Sequence, residues 1–274
     1  MVRIGMVNYI NTAPIYEIWK EQVHRSDWQV TEAPPSTLNR MLAADELDLG
    51  FVSSYEYAVR PEKYRILADL SISATGPVGS VYLFSTVAPE QLDEKLILMT
   101  GQSDTSVCLL RIILEEFLAL RPRYLTGEVF GPVSSDEKPA AVLAIGDEAL
   151  RLKYDNTYPV QLDLAEVWNR ETGLPFVFAV CAVREEFIAR DASAVREIRE
   201  MFIDCRTRGM KHLPEICEQV ARRIPMDCEA CSLYLRAMEY DLGPDKQEAL
   251  ERFFTLLIRR GEADKMALPL KIFV

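Results

Sequence analysis

Short apolar runs alternate with stretches of helical period through the first two thirds of the chain. Residues 2–6, 28–32, 47–52, 96–99, 140–145 and 176–183 read as strands, and 64–74 and 80–86 as extended segments joined by the turn Gly76-Pro77-Val78-Gly79. Helical period occupies 13–23, 37–44 with Ser36 as its cap, and the segment that runs from a loop at Ser103 to Ala119. Gly146-Asp147 opens another helix. From Arg184 the pattern is helical to the end, over 192–209, 213–223, 227–240 and 245–261, punctuated by Pro225, Gly243-Pro244 and Gly261. Met201, Phe202 and Cys205 share one helical face, as do Phe253, Leu256 and Leu257, which makes them core stripes.

Strand alternating with helix predicts an α/β fold. Two such patterns, bridged by the apolar runs at 81–85 and 176–183, predict two units and two crossing strands. The expected division is a discontinuous first domain, 1–85 plus 181–274, and an inserted α/β domain, 86–180. A ligand cleft then lies between them.

Four polar stretches fall at strand ends or turns that such a cleft collects. They are Val7-Asn8-Tyr9-Ile10-Asn11-Thr12-Ala13-Pro14-Ile15-Tyr16, Val52-Ser53-Ser54-Tyr55-Glu56-Tyr57, Gly76-Pro77-Val78-Gly79-Ser80-Val81 and Ser103-Asp104-Thr105-Ser106-Val107. In the first, Asn11 or Thr12 serves as N-cap and Pro14 fits the opening turn of a helix. Strand-to-helix junctions leave free backbone N–H groups, so Ser53 is either a cap or part of an anion site. The stretches supply hydroxyls and amides but no Lys or Arg, which suits one or two carboxylates held by neutral donors. Ser53, Ser54, Ser103, Thr105, Ser106, Tyr9 and Asp147 form the candidate binding set. Asp104 and Asp147 are candidate general bases, weighed against the commoner role of helix N-terminal acids.

Composition narrows the class. Among 274 residues, 31 Lys and Arg face 42 Asp and Glu, a net charge of −11 that argues against nucleic acid and anionic membranes. No Gly-rich phosphate loop and no metal-ligand spacing occurs, so neither a nucleotide cofactor nor a metal is expected. Cys228-Glu229-Ala230-Cys231 has no partner motif and reads as helix packing. His24 and His212 lie outside the cleft stretches and read as surface residues. With no export signal or membrane span in the pattern, a reduced, cytoplasmic setting is expected. On these grounds the chain is a two-domain small-anion binder, either a transport-type receptor or an enzyme using few acids and bases.

The residues resemble the chorismate dehydratase family of menaquinone biosynthesis by the futalosine route. The resemblance runs through Asn8-Tyr9-Ile10-Asn11-Thr12-Ala13-Pro14, Leu47-Asp48-Leu49-Gly50-Phe51-Val52-Ser53-Ser54-Tyr55-Glu56-Tyr57 and Gly76-Pro77-Val78-Gly79-Ser80-Val81. It continues in Thr105-Ser106, in Asp163-Leu164-Ala165-Glu166-Val167-Trp168 and in Thr172-Gly173-Leu174-Pro175-Phe176-Val177-Phe178-Ala179. It implies a type II periplasmic-binding-protein-like fold at work as a carbon–oxygen lyase on chorismate, without a cofactor. The implied product is 3-[(1-carboxyvinyl)oxy]benzoate. Asn11 and Ser80 match the family's catalytic pair, and Ser53, Ser54, Thr105 and Ser106 match carboxylate-holding positions. The alternatives are a non-catalytic binding protein for a small carboxylate and the sister 1,4-dihydroxy-6-naphthoate synthase. The sister enzyme looks to use a His base, and no His stands near Ser80.

The base implied for proton removal is Ser80, an ordered water or the substrate's own enolpyruvyl carboxylate. Replacing Asp104 or Asp147 alone is therefore expected to leave turnover in place. Turnover lost with chorismate binding intact, read by product absorbance and calorimetry, would return an acid to the role.

Overall fold

The computed structural model describes residues 1–131, 137–224 and 226–274; Pro225, expected to punctuate the helices, lies outside the described residues. The strands are β1 (Val2–Val7), β2 (Trp28–Ala33), β3 (Leu49–Ser53), β4 (Tyr64–Ala74), β5 (Val81–Ser85), β6 (Leu96–Thr100), β7 (Arg123–Gly127), β8 (Ala141–Ile145), β9 (Val160–Asp163), β10 (Phe176–Arg184) and β11 (Ile272–Phe273). The helices are α1 (Ala13–Gln22), α2 (Pro35–Ala43), α3 (Ser54–Val59), α4 (Asp104–Arg111), α5 (Gly146–Asp155), α6 (Leu164–Thr172), α7 (Glu185–Lys211), α8 (Leu213–Val220), α9 (Cys228–Ala237) and α10 (Pro244–Arg259).

Two sheets form, ordered β11-β4-β10-β3-β1-β2 and β7-β6-β8-β5-β9. β5 carries the chain into the second sheet, and β10 brings it back into the first. Both are buried because both are central: β5 lies between β8 and β9, and β10 between β4 and β3. Inter-strand bonds satisfy their backbones, so nearly uninterrupted apolar side chains cost nothing in hydrogen bonds.

The first sheet and its helices share a core in which Phe202 meets Trp19 at a tilt and Phe51 edge-on, at centroid spacings of 4.7 and 5.5 Å. Trp168 of α6 packs edge-on to Phe176 and Phe253 and donates its Nε1–H to the Pro175 carbonyl at 3.0 Å. This ties the helix after the second sheet to the start of β10. Charge also joins the units: Arg260 beyond α10 reaches Glu115 and Glu116 at 2.6 and 3.0 Å, and Arg111 of α4 reaches Glu262 at 3.0 Å.

Three expectations need correction. The helix over Thr37 begins at Pro35, and Ser36 does not cap it. The pair Pro34-Pro35 fixes the entry dihedrals, and the Ser36 N–H instead donates to the Gln102 carbonyl at 3.1 Å. The helix expected from residue 192 starts at Glu185 and is broken at Asp191, whose φ of −157° is non-helical and whose carboxylate caps the next turn. The carboxyl end is not wholly helical, since β11 pairs in parallel with β4. The six cysteines are free thiols, with Cys228 exposed and the other five buried. No helix among the described residues is long and apolar enough to cross a membrane.

Gly209 sets a close crossing of α7 on α1. A Cβ there would stand 1.7 Å from the Pro14 carbonyl oxygen, so α7 and the start of α1 touch backbone to side-chain-free backbone. Gly209→Ala is expected to cost about 3 kcal/mol or more of unfolding free energy by forcing the helices apart. Urea denaturation followed by circular dichroism checks it, and an unchanged midpoint would contradict the contact.

Candidate active site

The loop after β1 is shaped by Thr12, whose hydroxyl lies 2.8 and 2.9 Å from the Val7 and Tyr9 carbonyls. This folds Ile10–Thr12 into a 3₁₀ turn and leaves α1 without a side-chain cap. The same loop grips the second unit. Tyr9 donates its phenol to Gln102 Oε1 at 2.5 Å, and the Ile10 N–H donates to Asp147 at 3.2 Å. The Tyr9 ring lies flat against Gly146, where a Cβ would meet it at 2.8 Å and where φ is +55°. Asn11, half-buried in this turn, holds its side-chain carbonyl oxygen out of solvent with no protein partner.

Ser53 ends β3 and caps α3 by accepting from the Glu56 N–H at 3.2 Å. It also accepts from Asn39 Nδ2 at 2.8 Å, while Asn39 Oδ1 takes the Ser53 N–H at 3.0 Å. Asn39 reaches Asp104 as well, at 3.0 Å. Across the cleft, Ser103 caps α4 and donates to the Ser106 hydroxyl at 3.1 Å. Ser54 and Thr105 serve the scaffold: Ser54 donates to the Val177 carbonyl at 2.7 Å, and Thr105 accepts from the Tyr55 N–H at 2.9 Å.

The turn before β5 hangs on Asp163. Its buried carboxylate accepts from Val78 N–H at 3.2 Å and Gly79 N–H at 2.7 Å, and from Ala165 and Glu166 N–H at the start of α6. Gly79 takes a φ of +77°, which a side chain would resist. Ser80 follows, its carbonyl accepting from the Gly146 N–H at 2.8 Å and its hydroxyl from Tyr234 at 2.9 Å.

One narrow cavity gathers these pieces. Tyr9, Asn11, Ser53, Ser80, Ser103 and Ser106 line it, with Val7, Pro35, Ile72, Phe178 and Met238 among the apolar walls. No lining side chain carries a charge. Ser53, Ser80 and Ser106 each accept a bond from the protein, so each keeps its own proton for a guest. A hydroxyl donor beside a guest carboxylate makes a charge-assisted bond without the desolvation cost of a buried cation.

Of the nine sequence-derived candidates, six line the cavity. Ser54, Thr105 and Asp147 do not. Asp147 stands at the head of α5, braced on Ile10, with Asp104 in the first turn of α4. Residues outside the candidate set also matter: Asn39, Gln102, Asp163 and Tyr234 hold the lining groups in place. Asp163 was readable as a helix cap before Leu164-Ala165-Glu166, but its grip on the Ser80 turn had no local signal. His24 and His212 are exposed, away from the cavity. Among the described residues no cluster of three His, Cys, Asp or Glu is placed to hold a metal.

A family model described as menaquinone biosynthesis matches residues 2–259. A chorismate dehydratase of Thermus thermophilus is 32% identical over 265 residues, 91% of this chain and 93% of that one. Among solved structures, a protein of Archaeoglobus fulgidus superposes with a TM-score of 0.75 at 20% identity, over 95% of this chain and 97% of that one. A Candida albicans protein with the generic periplasmic-binding-protein fold superposes at 0.68 with 12% identity, over 100% and 96%. The two-sheet architecture is that fold.

Burial holds Glu56, Asp147, Glu148 and Asp163 above the ordinary carboxylate range. A carboxyl raised on folding favours the folded state when protonated, and that contribution fades as pH rises through the folded value. Stability is therefore expected to rise as pH falls from neutrality toward the ordinary range near ~4. Below that it falls, because hydrogen bonds and charge from Arg3 outweigh burial at Asp48 and hold it low. Thermal midpoints against pH check the shape. Asp147→Asn should flatten the upper limb, and an unchanged limb would contradict the assignment.

Proposed function

The chain belongs to the menaquinone-biosynthesis family, and we propose from that premise that its cleft takes chorismate and removes water from it to give 3-[(1-carboxyvinyl)oxy]benzoate. The curated relative at 32% identity bears the name of that activity. The observation that carries the reading is a cavity in which three hydroxyls, those of Ser53, Ser80 and Ser106, accept from the protein and keep their own protons, beside one unpartnered amide oxygen. Chorismate brings two carboxylates and two ring oxygens to such a set. No cofactor is needed for the step. The enzyme is accordingly a hydro-lyase with a small dicarboxylate as its partner, at work in the cytoplasm.

The bookkeeping of the reaction is short. The C3–H bond breaks and its proton leaves, the C4–O bond breaks, and the departing hydroxide takes a proton to become water. The ring's new double bond completes an aromatic system, which supplies driving force. Ser80, with its own proton free, donates to the leaving hydroxyl. Asn11 receives or orients the ring substituents through its amide. Ser53 and Ser106 hold carboxylate, with Ser103 fixing Ser106. These positions supply orientation and stabilisation of developing charge, the two largest contributions open to a site without acids.

A base is still required for C3. The lining holds no carboxylate, imidazole or amine. Ser80 is a poor candidate, since nothing among its protein contacts accepts its proton. The substrate's own enolpyruvyl carboxylate, adjacent to C3 through the ether oxygen, is the base that fits such a lining. The sister naphthoate synthase reading loses ground because both histidines lie on the surface.

Purified protein incubated with chorismate alone is expected to yield an aromatic absorbance and a product lighter by one water. Asn11→Ala and Ser80→Ala should fold and lose about 100-fold or more in kcat. Chorismate bound but unchanged would favour the binding-protein reading. Absence of binding would reduce the likeness to one of fold.

A further inference from the structure

Behind Ser80, on the side away from the cavity, stands Tyr234 of α9. Its phenol donates to the Ser80 hydroxyl at 2.9 Å, and this bond is buried. The ring packs over the Ser80 turn, where a Cβ on Gly79 would lie 3.5 Å from Tyr234 Cδ2. Tyr234 does not line the cavity; it faces an outer groove with Leu150, Lys153 and Leu233. The contact is long-range in sequence, 154 residues, and joins the carboxyl-terminal helices to the turn before β5. A phenol is a stronger acid than an alcohol, so the direction of donation is the favourable one.

A serine hydroxyl is a free rotor unless a neighbour fixes it. With one lone pair occupied by Tyr234, the Ser80 proton is turned away from Tyr234. The Ser80 side chain lines the cavity, so the cavity is where that proton is delivered. We propose that Tyr234 is a positioning residue for the dehydration: it holds Ser80 as a donor aimed at the leaving hydroxyl. This rests on the chorismate dehydratase reading and on Ser80 as its donor. Tyr234 keeps its proton throughout. Burial, the main cause, raises its phenol above the ordinary range, so a relay through a phenolate is not invoked.

Tyr234→Phe removes the single bond and nothing else of the ring. The expected result is a kcat lower by about 10- to 100-fold with KM within about two-fold of the parent and a melting temperature lower by no more than a few degrees. In the Ser80→Ala background the same change should have no further effect, because the bond it removes is already gone. A parent-like kcat for Tyr234→Phe, with Ser80→Ala inactive, overturns the proposal and leaves the dehydratase reading standing. So does a raised KM with kcat intact, which would make Tyr234 part of the binding wall. A parent without turnover, or an active Ser80→Ala, takes the underlying reading down as well.

If Tyr234→Phe fails to fold, trifluorotyrosine at position 234 keeps the ring and the bond while making the phenol more acidic. Its kcat should then acquire a fall at alkaline pH that the parent lacks, as the donor is lost. An unchanged pH profile overturns the proposal.

Discussion

One buried carboxylate holds the site in register. Asp163 accepts four backbone N–H bonds, two from the turn at Val78 and Gly79 and two from the head of α6. Backbone donors do not move as side chains do, so the turn, the helix and the end of β9 become one rigid corner. Without that acceptor the turn N–H groups would be buried and unpaired, at roughly 1–3 kcal/mol each. Gly76 and Gly79 take φ of +82° and +77°, which the absence of a Cβ permits, so the turn follows the corner without strain. Ser80 inherits its place from the corner.

The chemistry of the cavity follows a consistent logic. Acceptor sides are filled from behind, by Asn39 for Ser53, by Ser103 for Ser106 and by Tyr234 for Ser80. What remains exposed to a guest is a row of protons. A chain of net charge −11 thereby offers an anion a lining with no negative group of its own. The acids that flank it, Asp104 and Asp147, are spent on helix heads and on bracing the opposite loop. Discrimination of this kind relies on hydrogen-bond geometry rather than on a buried ion pair, whose desolvation would cost more than it returns.

How much of this could be read beforehand depended on how local each cause was. The buried strands at 49–53, 141–145 and 176–184 were legible because central strands are apolar on both faces. Ser53 was legible as a possible cap because a cap is a local device, and the structure gives Ser103 the same role on α4. Ser54 and Thr105 stand one residue from lining positions and share their composition, but the helical turn points them into the scaffold. No pattern of residue types separates such neighbours. Tyr234 carried no local signal, since its partner lies 154 residues away in another part of the chain. Edge strands β7 and β9, half-buried and short, carry too little apolar signal to stand out. At Ser36 a good capping residue was overruled by two prolines.

The Ser80 corner moves with the second sheet, through Asp163 and the Gly146 N–H. Asn11, Ser53 and Tyr234 are carried by the first-sheet unit, Tyr234 on a helix beside β4, which meets Glu239 at Ser73. Any parting of the units wide enough to admit a ring would therefore separate Ser80 from Asn11 and from Tyr234 in the same movement. The serine would lose its partner and its aim together. The Ser80–Tyr234 bond is thus a seam between the two units as well as a local contact.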